Sequence, residues 1–184
     1  MRVTGGELRG RKLKTTPGMT ARPTTDKIRQ AIFNILMHDI IDSKVLDLFA
    51  GSGALGIEAL SRGADSAVFI ENGRAQAAVI RENLKSLGLE GDILNSDFRS
   101  ACSLLGETGK TGRKFDIIFA DPPYTEFSPT EIIDTVLQYN LLADTGFLII
   151  EHRAGHDKNN GRMKLIKERK FGQTEVSIYV PGKD

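Results

Sequence analysis

Cysteine occurs once in these 184 residues, as Cys102, and tryptophan not at all. One thiol excludes an internal disulfide framework, and Cys102 reads as a small residue on a helix face rather than a nucleophile. Histidine is scarce, at three residues, and shares no ligand spacing with the cysteine, so no metal site is expected. No apolar run approaches the ~20 residues of a membrane span, and the N-terminus is basic and polar, unlike a signal peptide. A cytoplasmic protein that does not engage membranes is the expectation. A dominant charge sign is also missing, with 25 basic and 24 acidic side chains. That balance hides an asymmetry. Residues 1–29 hold eight basic and two acidic side chains, a local charge of +6, and the remainder carries −5. A basic arm on an acidic body suits a polyanionic partner held by one end. The plain alternative is a solvated charged hairpin.

The length fits one domain, and 40% hydrophobic content is enough for a core. Residues 2–14 read as a β-hairpin with glycines near its turns. Pro23-Thr24-Thr25-Asp26 offers helix N-terminal chemistry. Ile28, Ala31, Ile32, Ile35 and Leu36 then form one apolar stripe, which predicts a helix to about Met37. From Val45 the pattern alternates. Apolar runs at Val45–Phe49, Ala67–Ile70, Asp92–Leu94, Phe115–Ala120 and Phe147–Ile150 are separated by helical segments near 54–62, 74–87, 98–105 and 129–140. Alternation predicts an α/β fold with right-handed crossovers and a mostly parallel sheet covered on both faces. Met163–Lys170 and Thr174–Val180, joined by Phe171-Gly172-Gln173, read as an antiparallel C-terminal strand pair.

Proline is sparse, with six residues, yet two stand together in Asp121-Pro122-Pro123-Tyr124 directly after an apolar run. Proline fixes φ and donates no amide hydrogen, so the pair ends the strand in a stiff turn. Such a turn offers carbonyls and the Asp121 carboxylate as acceptors, with a ring beside them. That set suits a planar group bearing an exocyclic NH2, such as a nucleobase. Asp47, Glu71, Asp97 and Asp121 lie at or near successive strand ends, one βα unit apart, and should converge on the edge where open α/β sheets bind ligands. Gly51-Ser52-Gly53-Ala54-Leu55-Gly56 matches G-x-G-x-x-G between a strand and a helix. A nicotinamide-dinucleotide oxidoreductase therefore has to be weighed. Against it, Asp47 is poorly placed beside a pyrophosphate and the loop has no basic residue. S-adenosylmethionine fits better, because it carries a sulfonium and an ammonium and no phosphate. Asp47 would offset its positive charge and Glu71 would accept from the ribose hydroxyls. Asp97 and Phe98 would serve the adenine amine and face.

Residues 47–59, Glu71, Asp97 and Asp121–Tyr124 resemble motifs of class I S-adenosylmethionine-dependent methyltransferases. With Gly5–Leu13, Arg22–Asp26, Arg29, Asn34, Leu60–Ala64, Asn83-Leu84 and Phe171–Thr174, the chain resembles the bacterial ribosomal RNA small-subunit methyltransferase D family (RsmD) over nearly its whole length. The N-terminal segment is the selective part, since the catalytic tetrapeptide is shared with many amino-methylating enzymes. The resemblance implies a Rossmann-like seven-stranded sheet. It implies residues 1–40 as a basic hairpin and helix that bind RNA, packed on a methyltransferase domain, residues 41–184, in one compact unit. It further implies methylation of a guanine N2 in 16S ribosomal RNA, free or within a small subunit, by a monomer without metal. The expected catalytic residues are Asp121, Pro122, Pro123 and Tyr124. Those expected to bind S-adenosylmethionine are Asp47, Phe49, Ala50, Gly51, Ser52, Gly53, Glu71, Asn72, Asp97 and Phe98. RNA contact is expected from Arg9, Arg11, Lys12, Arg22 and Arg29. A methyltransferase acting on DNA or another RNA would use the same tetrapeptide, and 184 residues leave little mass for reading a duplex.

Overall fold

The computed structural model describes residues 1–16, 23–108, 114–123, 125–155 and 161–182. Arg22 and Tyr124 lie outside the described residues. Helix α1 (Pro23–Leu36) precedes a 3-10 turn, Met37–Ile40, and then the alternation begins. Strands β1 (Lys44–Asp47), β2 (Ser66–Ile70), β3 (Asp92–Leu94) and β4 (Phe115–Ala120) alternate with α2 (Ala54–Ser61), α3 (Arg74–Leu87) and α4 (Phe98–Thr108). Helix α5 (Pro129–Gln138), β5 (Leu142–Arg153), β6 (Met163–Phe171) and β7 (Thr174–Pro181) complete the chain.

The seven strands form one sheet in the order β3-β2-β1-β4-β5-β7-β6. β1 pairs in parallel with β2 and β4, and the direction of travel across the sheet reverses there. That reversal creates a crevice at the carboxyl ends of β1 and β4. β7 runs antiparallel to both β5 and β6, so it alone is reversed and β6 points the same way as the core strands. This is an α/β Rossmann-like sheet. Apolar side chains fill both faces, as parallel strands buried on two sides require. One face packs Ile32, Phe33, Ile57 and Ile80 of α1, α2 and α3 against Val45, Phe69 and Phe119. The other packs Cys102, Ile132 and Val136 of α4 and α5 against Leu46, Ile118 and Leu148.

The hairpin read over residues 2–14 is present: Arg2 bridges Lys12 in antiparallel fashion, Val3 N–H donates to Arg11 O (2.9 Å), Gly10 N–H to Val3 O (2.9 Å) and Leu13 N–H to Met1 O (3.0 Å). Its remaining polar groups fasten it to the helices beneath. Thr4 N–H and Oγ1 donate to Glu58 (both 2.7 Å), and Leu8 N–H donates to Ser61 Oγ (3.0 Å). Asn83 Oδ1 accepts from Lys14 N–H (2.8 Å). β5 starts at Leu142 rather than Phe147, with a register shift opposite β4. The polar stretch Asp144-Thr145-Gly146 rides over that irregularity, which is why no apolar run announces it.

Candidate active site

A cleft of about 990 Å3 opens at the carboxyl ends of the parallel strands. Its walls come from the β1–α2 loop, the end of β2, the β3–α4 connection, the corner after β4, the end of β5, the turn between β6 and β7, and, on one side, Met1 with α1. Asp47, Glu71, Asp97 and Asp121 all line it. The even spacing of the four acids therefore meets in space at one site.

The glycine loop takes its shape from two tight requirements. Gly53 has φ +80, a left-handed conformation suited to glycine, and a Cβ there would lie 3.2 Å from Ile57 and Ile80. Gly56 sits under α2, where a Cβ would come within 2.3 Å of the Phe69 ring. The loop's three glycine amides are spent inside the protein. Gly51 N–H donates to Glu71 Oε2 (2.8 Å), Gly53 N–H to Ala50 O (2.7 Å) and Gly56 N–H to Asp47 Oδ2 (3.2 Å). A dinucleotide loop instead turns its amides toward a pyrophosphate. Here two of the three glycine amides are held by carboxylates, so the lining of the cleft favours a cationic ligand.

Asp47 is 1% exposed at the end of β1. Burial pushes its carboxyl up to about 7, the amides of Gly56 and Phe49 oppose that rise, and the nearby Glu71 charge adds to it. Its Oδ1 is buried with no hydrogen-bond partner among the described residues. An orphaned acceptor is costly, and a cation or donor in the cleft would relieve it. Glu71 is held by two backbone amides, from Gly51 and from Gly73 (2.7 Å to Oε1). Each carboxylate oxygen keeps a further lone pair. Asp97 caps α4 through a 3.0 Å bond from Ser100 N–H, and that amide is the main reason its carboxyl lies below the usual range. Asn72 is exposed, and its carbonyl accepts from Asn95 (3.0 Å). Phe98 is 4% exposed and stands in a triad with Phe49 (5.1 Å between ring centroids) and Phe127 (5.5 Å). Phe127 was not singled out in the sequence, because it reaches the site from beyond the double-proline corner.

At that corner Asp121, buried Pro122 and exposed Pro123 border the cleft. Pro123 O accepts from Glu126 N–H (3.0 Å), closing a turn. Among the described residues nothing donates to the Pro122 carbonyl. Glu151 of β5 lines the cleft, whereas His152, its neighbour, faces the core and meets Ser177 Oγ at 2.9 Å.

The arm's basic residues divide. Arg9, Arg11 and Lys12 are exposed, and Arg11 Nη2 reaches Ser86 O (3.2 Å). Arg29 corrects the expectation of RNA contact. It is 2% exposed, its Nε donates to Glu58 (3.2 Å), and its Nη2 donates to Asp26 (2.9 Å) and to Arg2 O. Glu58 is wholly buried and also accepts from Arg62 (2.9 Å). Arg29 is thus the internal half of an ion cluster that fastens the arm to α1 and α2. Its Nε and Nη2 are paired internally, and its Nη1 is buried with no hydrogen-bond partner among the described residues. Met1, Ile28 and Ile32 join Arg29 along the near wall of the cleft.

The family described as conserved hypothetical protein 95 matches residues 1–180. The ribosomal RNA small subunit methyltransferase D of Escherichia coli K12 is 36% identical over 182 residues, covering 97% of this chain and 89% of that protein. The protein of the same name from Haemophilus influenzae is 33% identical, covering 97% and 93%. The solved structure of yhhF from Escherichia coli superposes with a TM-score of 0.86 at 35% identity, covering 98% of this chain and 97% of that one. A Thermus structure, TTHA0928, gives a TM-score of 0.82 at 26% identity. These likenesses span the arm and the whole sheet, and the chain belongs to the ribosomal RNA small subunit methyltransferase D family.

Proposed function

We propose that this protein transfers a methyl group from S-adenosylmethionine to the exocyclic N2 amine of a guanine in small-subunit ribosomal RNA. The observation that carries the reading is the shared cleft: the Asp121-Pro122-Pro123 corner opens into the same space as Asp47 and Glu71. The names of the relatives support ribosomal RNA as the substrate. The guanine amine is the reading of the corner's chemistry.

S-adenosylmethionine supplies an electrophilic methyl on a positively charged sulfur. The cleft fits that molecule. Asp47 offers a buried acceptor to its ammonium, Glu71 offers two oxygens to the ribose hydroxyls, and Asp97 with the phenylalanine triad borders the position for adenine. Gly51, on the cleft wall and without a side chain, lets the backbone approach closely, whereas Gly53 is buried behind it.

A guanine N2 lone pair is delocalised into the ring and attacks poorly. The Asp121 carboxylate and the Pro122 carbonyl accept its two N–H bonds and let the nitrogen pyramidalise. The new N–C bond forms as the methyl leaves sulfur, whose electron pair neutralises the sulfonium. The nitrogen sheds one proton, to the Asp121 carboxylate or to water, as its acidity rises. Holding the two reactants in line supplies up to about 7–11 kcal/mol of the barrier reduction. Tyr124 stacks on the target base, replacing about 1–3 kcal/mol of stacking lost when the base leaves its helix. Residues 1–40 act as the RNA-binding extension, with Arg9, Arg11, Lys12 and Arg22 on phosphates, and residues 41–184 act as the methyltransferase unit.

Calorimetry with S-adenosylmethionine and with NADH, followed by a radiolabelled methyl-transfer assay on unmodified small-subunit RNA, tests the reading. Binding of the former with incorporation of label is expected. Tight NADH binding without S-adenosylmethionine binding would overturn it.

A further inference from the structure

The site and the arm leave one basic surface unexplained. β6 is the sheet's edge strand, and every residue from Lys164 to Lys170 is exposed. Four of those seven are cationic and one, Glu168, is acidic. An edge strand exposed on both faces buries almost nothing beyond its pairing with β7. Its side chains are therefore free to serve something else.

Register sorts them. Lys167 pairs with Ile178, Arg169 with Val176 and Lys164 with Val180. Ile178 and Val176 belong to the core beneath α1, α2 and α3. Paired residues share a face, so Lys164, Lys167 and Arg169 stand on the side of the sheet that carries the N-terminal arm. The register shift between Leu165 and Lys167 makes this possible. Without the extra residue, Lys164 and Lys167 would fall on opposite faces. None of the three side chains makes an ion pair or hydrogen bond with another described residue.

Position adds the second observation. β6 runs parallel to the core strands and ends in Phe171-Gly172-Gln173-Thr174, which lines the cleft. Alternate strand residues lie about 7 Å apart, so the cations form a row leading up to the cleft mouth. The arm occupies the other flank, bonded to α2 and α3 above the β1–β3 half of the sheet. The acidic cleft lies between two basic flanks.

We infer that the β6 edge is a second RNA-contact surface, its Lys164, Lys167 and Arg169 holding phosphates across the cleft from the arm. The inference rests on the RNA-methylating reading above. RNA gripped on both sides holds the target base over the double-proline corner. A simpler role for edge lysines is to block strand addition by another chain, and the test separates the two.

The variant is Lys164→Gln with Lys167→Gln and Arg169→Gln, polar enough to keep the edge soluble. Binding of unmodified small-subunit RNA is measured against salt, alongside calorimetry with S-adenosylhomocysteine and the sedimentation of the free protein. Loss of three phosphate contacts lowers the slope of log affinity against log salt by about 2, with cofactor affinity unchanged. An unchanged slope, in a protein whose Arg11→Glu, Lys12→Glu variant does lose RNA, overturns the inference and leaves the function standing. Self-association of the glutamine variant with RNA affinity intact also overturns it, in favour of edge protection. If the wild type binds no ribosomal RNA at any salt, the function itself falls and takes this inference with it.

Discussion

Replacing Asp47 by asparagine makes the empty protein more stable and its cofactor binding weaker. The carboxyl is fully buried and its pKa is pushed up to about 7 from 3.8, chiefly by desolvation. Holding it ionised at pH 8 disfavours the folded state by about 4 kcal/mol, at 1.36 kcal/mol per pH unit. Asparagine removes the charge and keeps the shape, but its amide lacks a partner where Oδ1 has none, a cost of about 1–3 kcal/mol. The net gain is about 2 kcal/mol, or roughly 4–8 °C in Tm for a chain of this size. The sign depends on pH. Between about 4 and 7 the folded wild type binds a proton that the unfolded chain has released, so its stability falls as pH rises through that window and levels off above it. The advantage of the asparagine variant is therefore greatest at pH 8 and vanishes or reverses near pH 5. Thermal unfolding followed by circular dichroism at both values, without ligand, measures it. A variant less stable than wild type at pH 8, or a difference independent of pH, refutes the assignment of Asp47 as a strained, ligand-awaiting acid.

The same ionisation governs binding. A cation prefers the ionised carboxylate, so S-adenosylmethionine affinity falls as pH drops below about 7, and calorimetry finds this dependence absent in Asp47→Asn. Asp121→Ala lowers single-turnover methyl transfer by about 10²–10³ with cofactor affinity little changed; surviving turnover removes the amine-orienting role. Arg11→Glu with Lys12→Glu weakens RNA binding in filter-binding assays at low salt and leaves cofactor binding intact. Glu58→Ala removes the buried partner of Arg29 and leaves it only the more exposed Asp26, which destabilises the fold by up to about 3–5 kcal/mol in urea titration.

The βα alternation was legible because each core strand is a short apolar run between polar helices, and burial on both faces demands that pattern. The converging acids were legible because strand–helix units of similar length put successive strand ends in line. What stayed hidden depended on partners far away in the chain. Arg29 reads like any other cation of a basic block, and only Glu58, on another helix, turns it inward. Phe127, Met1 and the Phe171–Thr174 turn reach the cleft through chain returns that no local period encodes. The arm reads as a hairpin by its glycines and is one, but its anchoring to Glu58 of α2 and Asn83 of α3 leaves no local signal. β6 alternates too weakly to reveal its exposure, because an edge strand with a register shift carries no single buried face.

Mass mapping of small-subunit RNA, incubated with the protein and S-adenosylmethionine and digested to nucleosides, tests the central claim most directly. The account predicts one added methyl, on the N2 amine of a guanine, lost when Asp121 is replaced by alanine. A methyl on a ring nitrogen, a ring carbon or a ribose oxygen, or none at all, would contradict it.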